Sequence, residues 1–184
     1  MDITLYTSMR KAAVTLAAAI TLAMATPATA ADYELNVKPF EELQVVNGIN
    51  VTYRCNTDSA GYVRFSCDPD ISSMVLFSNN KNKLKIELSD EITDAQRQRL
   101  PTVTVFSAFL SKVENSGDST VYVDTPSPAA TFKARIVGNG TLIARGLHAT
   151  TVEGKIATGH GHLVLAGEAQ TIKLNNTGTG TIEA

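Results

Sequence analysis

Gly138-Asn139-Gly140-Thr141-Leu142, Gly159-His160-Gly161-His162-Leu163 and Gly178-Thr179-Gly180-Thr181-Ile182 repeat one glycine-centred phrase through the last third of the chain. Their leading glycines stand 21 and then 19 residues apart. Between the phrases, Phe132, Val152 and Ile172 form a file at a spacing of 20, and Ile136, Ile156 and Asn176 form a second. Ala134, Gly154 and Leu174 sit two residues from each file, the alternation of a half-buried strand. Self-similarity at a fixed period of about 20 residues is the signature of a repeat array. The expected fold is all-β: a parallel β-helix or solenoid-like stack of short strands, with glycine at the tight bends.

Working outward from that stretch, Val113-Glu114-Asn115-Ser116-Gly117 is an early copy of the phrase, its glycine 21 residues before Gly138. The repeats therefore run over 102–184. Residues 89–101 carry polar helix formers, with acids first and arginines last as the helix dipole favours, and Pro101 stops them. They read as an exposed insertion. Residues 31–88 hold strand patterns separated by turn-rich phrases such as Asn47-Gly48 and Asn79-Asn80-Lys81-Asn82. The exception is Ile71 to Phe77, which allows one or two helical turns behind Asp70 as N-cap. No charged or low-complexity spacer divides 31–184, so one domain is expected there.

Residues 1–30 read differently. Arg10-Lys11 precedes an apolar run from Ala12 to Ala25, and Ala28-Thr29-Ala30 gives an A-x-A cleavage pattern, so this segment reads as a secretory signal peptide cut after Ala30. The expected location is outside the cytoplasm: periplasm, cell surface or extracellular space. Ala31 and Asp32 follow the cut, with no cysteine to take a lipid anchor. Removing Asp2, Arg10 and Lys11 leaves 14 basic and 17 acidic residues, a formal charge of −3. The basic residues are spread singly along the chain, so neither nucleic acid nor an anionic membrane surface is the expected partner.

An oxidising compartment invites a disulfide between Cys55 and Cys67. If the strands over 49–55 and 62–67 formed a direct hairpin, about five residues at ~3.4 Å each would hold the cysteines beyond the ~7 Å that a bridge allows. Both a bridge and two buried thiols stay open at this point.

Candidate chemistry is sparse. His160 and His162 are separated by one residue, which on a strand places both imidazoles on one side, and imidazole binds zinc or copper. Two histidines fall short of the four ligands of a closed zinc site. They also fill the slots of Asn139 and Thr141 one repeat earlier and Thr179 and Thr181 one later, which points to an exposed polar ladder and leaves His160 and His162 only weak metal candidates. A glycan lyase or hydrolase is the rival reading, because parallel β-helices can hold carboxylates along one strand face. Here Glu114, Asp118, Asp124, Glu153, Glu168 and Glu183 do not recur at the repeat spacing, and Trp is absent. Neither a catalytic residue nor a cofactor is expected.

One ordered set of phrases carries a resemblance. Phe40-Glu41-Glu42-Leu43 leads into Val46-Asn47-Gly48-Ile49-Asn50-Val51, followed by Leu84-Lys85-Ile86, Val103-Thr104-Val105 and Val113-Glu114-Asn115-Ser116-Gly117. This set resembles the exported bacterial domains of the auto-transporter adhesin, head GIN domain family, and Gly48-Ile49-Asn50 matches the tripeptide in that name. The resemblance implies a right-handed β-solenoid-like fold and an adhesin-like role, and it supplies no catalytic residues to carry over. The expected function is thus a non-catalytic interaction module contacting protein, glycan or the cell envelope. Its last coil presents an open strand edge, which favours a homo-oligomer through the C-terminal coil.

Overall fold

Alternation of apolar and polar residues at a period of two is enough to make most of this chain strand, and the computed structural model, which describes residues 30–184, is all-β. The signal-peptide reading therefore lies outside the described residues, save for Ala30. Thirteen strands form a single curled sheet, with two one-turn helices between them. In chain order the strands are β1 (Ala31–Asn36), β2 (Glu42–Val46), β3 (Val51–Cys55), β4 (Tyr62–Cys67), β5 (Val75–Asn80), β6 (Lys83–Leu88) and β7 (Val103–Ser107). There follow β8 (Lys112–Ser116), β9 (Thr120–Asp124), β10 (Ala129–Val137), β11 (Thr141–Thr158), β12 (His162–Asn176) and β13 (Thr181–Glu183).

The sheet has two walls. One runs β6, β2, β8, β10 and on into the second halves of β11 and β12, with parallel neighbours throughout. The other runs β7, β3, β9, the first part of β11, the first part of β12, and β13, again all parallel. The files expected from the sequence are registers of the first wall: Phe132 stands beside Val152, and Val152 beside Ile172. The second file extends further than the glycine phrases indicate, running Ile86, Val45, Asn115, Ile136, Ile156, Asn176. Inward residues of both walls, among them Leu43, Val113 and Ile136 from one and Val51, Val121 and Leu142 from the other, fill one core.

Chain order and spatial order part company at the N-terminal end. β2 and β3 lie inside the stack, between β6 and β7 on one side and β8 and β9 on the other, although β6 and β7 follow them in sequence. Antiparallel strands close that end, β1 and β4 on one wall and β5 on the other. Tyr33, Phe65 and Phe77 stack between the two walls with ring centroids 5.2 and 5.8 Å apart. Asn79 fastens the closure by donating to the carbonyls of Val37, Lys38 and Pro39 at 2.8 to 3.2 Å.

Two local expectations need correcting. The strands bearing Cys55 and Cys67 are not a hairpin, because β7 lies between β3 and β4. Both cysteines are free thiols, Cys55 exposed and Cys67 buried. Burial, then Asp68 and Asp70 beside it, pushes the Cys67 thiol above its ordinary pKa, which suits a packing residue rather than a nucleophile. The helical turn begins earlier than the Ile71 to Phe77 reading. α1 is Pro69–Ser72, with Asp68 in the N-cap position making no side-chain cap, and Val75 already belongs to β5. Proline at the first helical position sets the start that was assigned to Asp70. Asp70 instead meets Arg99 at 2.8 Å. Within 89–101, α2 (Asp94–Arg97) starts on a reciprocal cap, Thr93 accepting from the Gln96 N–H and the Gln96 side chain accepting from the Thr93 N–H.

The glycine phrases form columns at the corner joining the walls. In the first, Gly48, Gly117, Gly138, Gly159 and Gly178 pack backbone on backbone; in the second, Gly140, Gly161 and Gly180 do the same. A Cβ placed on Gly140 would stand 2.6 Å from Asn115 Nδ2 and 2.6 Å from the Ser119 carbonyl. Gly140→Ala should therefore lower stability by about 2 kcal/mol or more, as overpacking at a rigid site does. Val152 is 2% exposed between Phe132 and Ile172, and Val152→Asp, which buries an unpaired charge, should cost more than about 3 kcal/mol. Thermal unfolding checks both, with exposed Thr150→Ala as the control; variants melting with the parent would overturn this corner and register.

Candidate functional site

Outward positions of the first wall carry the charge. Two adjacent files run across its strands, the first Lys83, Glu42, Lys112, Lys133, Glu153, Lys173 and the second Lys85, Gln44, Glu114, Arg135, Lys155, Asn175. Together they hold seven basic and three acidic side chains on a chain whose full-length formal charge is −2. Along the sequence these residues are scattered singly, as read above. Parallel stacking gathers them in space, which corrects the inference that no basic cluster exists.

Most of the face is internally paired. Lys112 lies 3.1 Å from Glu42, Lys133 2.9 Å from Glu153, and Arg135 3.1 Å from Glu114, while Lys85 pairs with Glu87 on its own strand. Glu114 is the best-held carboxylate, its side chain 13% exposed. It accepts from the Gln44 amide and the Ser116 hydroxyl, both at 2.9 Å. Burial by itself would raise its pKa, but the Ser116 hydroxyl, the Arg135 charge and the Gln44 amide outweigh that and hold it below the usual range. At two places like charges also adjoin: Lys112, besides its pair with Glu42, is the neighbour of Lys133, and Arg135, besides its pair with Glu114, is the neighbour of Lys155.

The outward surface of the second wall is different in kind. One file reads Thr104, Thr52, Tyr122, Ile143, Val164, Glu183 and another Thr120, Thr141, His162, Thr181. The two candidate histidines do not share a strand. His160 sits in the bend before β12, where its N–H donates to Asn139 Oδ1 at 3.0 Å and its ring meets the Thr179 hydroxyl. His162 opens β12 and places its ring 2.8 Å from Glu183 Oε1. The glycine corner between them breaks the strand geometry that would have aligned the rings. Among the described residues, no group of three or more His, Cys, Asp or Glu side chains converges to hold a metal ion.

A hollow of about 440 Å³ over β1, β4 and β7 is lined by Tyr33, Glu34, Arg64, Phe65 and Thr104. Its one cation is already engaged, Arg64 meeting Glu34 at 2.6 Å and the Phe106 ring centroid at 5.2 Å. The Gly48-Ile49-Asn50 phrase has structural work. Gly48 heads the first glycine column, Ile49 is fully buried, and Asn50 Oδ1 accepts from the Thr120 N–H at 2.9 Å.

Residues 39–184 match the family model described as "Putative auto-transporter adhesin, head GIN domain". The chain belongs to that family. The head GIN fold recurs in a solved putative adhesin from Bacteroides fragilis, 15% identical, covering 84% of this chain and 96% of that one with a TM-score of 0.54. It recurs in a putative adhesin from Parabacteroides merdae, 14% identical over 84% of this chain and 95% of that one, again at 0.54. A third, from Parabacteroides distasonis, is 14% identical over 85% of this chain and 74% of that one, at 0.53. At such identities the likeness speaks to the fold. No curated protein matches the chain. Among the described residues of this head GIN domain, no helix is long and apolar enough to cross a membrane.

The Glu114 network makes a prediction with a definite sign. Its carboxyl titrates lower folded than unfolded, so its contribution is present above the unfolded value and fades as pH falls through the folded one. Glu114→Gln should be less stable than the parent at neutral pH, and the gap should close as acid protonates the parent. Urea unfolding from about pH 7 down to about pH 3 reads this out, the range spanning the ordinary carboxylate titration. A gap that is constant across the range would show that Glu114 acts by packing alone.

Proposed function

We propose that this head GIN domain is an exported, non-catalytic, adhesin-like module, built as a right-handed β-solenoid-like stack, whose charged wall engages an anionic polysaccharide of the cell envelope. The observation that carries the reading is the pair of like-charge contacts, Lys112 beside Lys133 and Arg135 beside Lys155. Adjacent strands stand about 4.8 Å apart, and cations at that spacing repel. Lys112, Lys133 and Arg135 are partly offset by Glu42, Glu153 and Glu114, while Lys155 makes no ion pair among the described residues and is left for an anion lying over the wall. A polyanionic chain running along the stack supplies one at each step. The length of the wall suits this role, since its parallel strands set outward residues side by side in unbroken files.

Export is supported by the Arg10-Lys11, apolar and Ala28-Thr29-Ala30 pattern of residues 1–30. The lyase or hydrolase alternative draws no support from the carboxylates of the charged wall. Glu42, Glu114 and Glu153 each lie within 3.1 Å of a basic partner, and a general acid or nucleophile must be free to meet substrate.

Binding to immobilised heparin, a probe for sulfated polysaccharide, tests the proposal against a neutral dextran matrix. The protein should be retained at low ionic strength and released as salt screens the contact. A Lys133→Gln/Lys155→Gln variant should elute much earlier, while Arg54→Gln on the other wall should elute with the parent. Flow-through of the parent at low salt, or equal retention of the double variant, would refute the assignment of this wall.

A further inference from the structure

The last coil of the stack is left open in a way the other coils are not. Among the described residues, β13 pairs only with His162–Val164 of β12, and no strand lies along the outer edge from Gly167 to Asn176. Its inward side chains are correspondingly bare. Ile172 is 49% and Leu174 47% exposed, whereas Val152, one coil earlier in the file of Ile172, is 2% exposed. A recess of about 310 Å³ opens at this end, lined by Val152, Leu165, Gly167, Ala169, Ile172 and Ala184 among others. A long, apolar, unpaired edge is a template for another strand.

Which strand fits can be worked out from the register. β11 and β12 keep one register on either side of positions 150 and 170, but the buried side of β11 passes from odd to even positions there, from Leu147 to Val152 and Gly154, so the alternation of side chains slips by one residue. Leu147 and Val152 are both buried, and Ala149 packs against the core. Their partners Gly167, Ala169 and Ile172, together with Leu174, therefore form the inward set of the exposed edge. Glu168 and Lys173 form the outward set, with side chains 84% and 66% exposed.

We propose that a second copy of this chain seats on the edge, the two β12 strands running antiparallel about a two-fold axis between Gln170 and Thr171. About that axis Glu168 of each copy faces Lys173 of the other, Ala169 faces Ile172, and Gly167 faces Leu174. Acid meets base, and small meets large, on the correct side of the sheet in every case. The slip at 170 is what allows this, because without it the same axis would set inward residues against outward ones. A register centred on Lys173 would place two ammonium groups together and is disfavoured. Present neighbours do not compete strongly: His148 lies 3.5 Å from Glu168, and Glu153 3.9 Å from Lys173.

Sedimentation equilibrium of the chain from Ala31 onward tests the pairing, at about 100 µM because a single-edge contact falls at the small end of specific interfaces. The parent should approach twice the monomer mass. Glu168→Lys and Lys173→Glu should each weaken association about tenfold or more, each creating two like-charge contacts. The combined Glu168→Lys/Lys173→Glu chain should regain the dimer. Thermal melts establish that the variants are folded, which their exposed positions predict. A monomeric parent, leaving the edge to a further coil or a different partner, would overturn the inference. So would a dimer indifferent to either single reversal, or a combined variant that stays monomeric. Heparin retention reads the charged wall separately, so failure of one reading leaves the other standing.

Discussion

The structure rests on a close approach of backbones at one corner of the coil. Parallel strands in register require each turn of chain to lie directly over the one beneath, and at the corner the separation leaves no room for a Cβ. Gly117, Gly138, Gly159 and Gly178 satisfy that in one column, and Gly140, Gly161 and Gly180 in the other, while Gly48 at the head of the first has open space around it and instead supplies a φ of +84°. The corner also strands polar backbone groups, and asparagine side chains take them up. Buried Asn115 donates to the carbonyls of Ser119 and Thr141 at 2.8 and 3.0 Å, and Asn176 repeats the first of these contacts with Gly180 at 2.8 Å. Glycine lets the coils close, and asparagine satisfies the closure.

The same corner explains the Gly48-Ile49-Asn50 phrase as structure rather than site. It belongs to the coil of β2 and β3, which is covered on one side by β6 and β7 and on the other by β8 and β9. Strands separated by about 40 to 70 residues in sequence must therefore meet before this coil is complete. Contacts of such long sequence separation slow folding, because loop-closure entropy is lost before the contacts are gained. A phrase that fixes the corner of the most enclosed coil through Gly48, Ile49 and Asn50 lowers the number of ways that assembly can go wrong.

What the sequence made legible follows from locality. The Phe132, Val152, Ile172 file was readable because β10, β11 and β12 are consecutive both in chain and in space, so the repeat spacing is the stacking register. The position of β2 between β6 and β8 was not readable, since strand alternation looks the same whatever the neighbour. The charged wall was lost with it: Lys83, Glu42 and Lys112 adjoin only because of that interleaving. For His160 and His162 only the expectation of two rings on one side of a strand fails, for a related reason, as the i, i+2 rule holds within a strand and the glycine corner falls between them.

Register also decides where the surface charge is left unbalanced. In a parallel stack each outward residue sits beside the same position of the next coil, so a face stays electrostatically quiet only if signs alternate along the stack. Lys133, Glu153, Lys173 and Lys83, Glu42, Lys112 do alternate. The alternation fails between Lys112 and Lys133 and between Arg135 and Lys155, in the middle of the wall. In the second file a single carboxylate at position 155 would restore alternation, whereas in the first a carboxylate at 112 or 133 would only set two acids side by side, next to Glu42 or Glu153. Gln44 and Asn175 in the second file show that neutral residues occupy such slots as well. A wall that needs only stability has no use for adjacent cations, which work against it through self-repulsion. Three of those four cations are offset within the wall, Lys112 by Glu42, Lys133 by Glu153 and Arg135 by Glu114, so among the described residues the charge left without an ion pair in the middle of the wall is that of Lys155, beside Arg135.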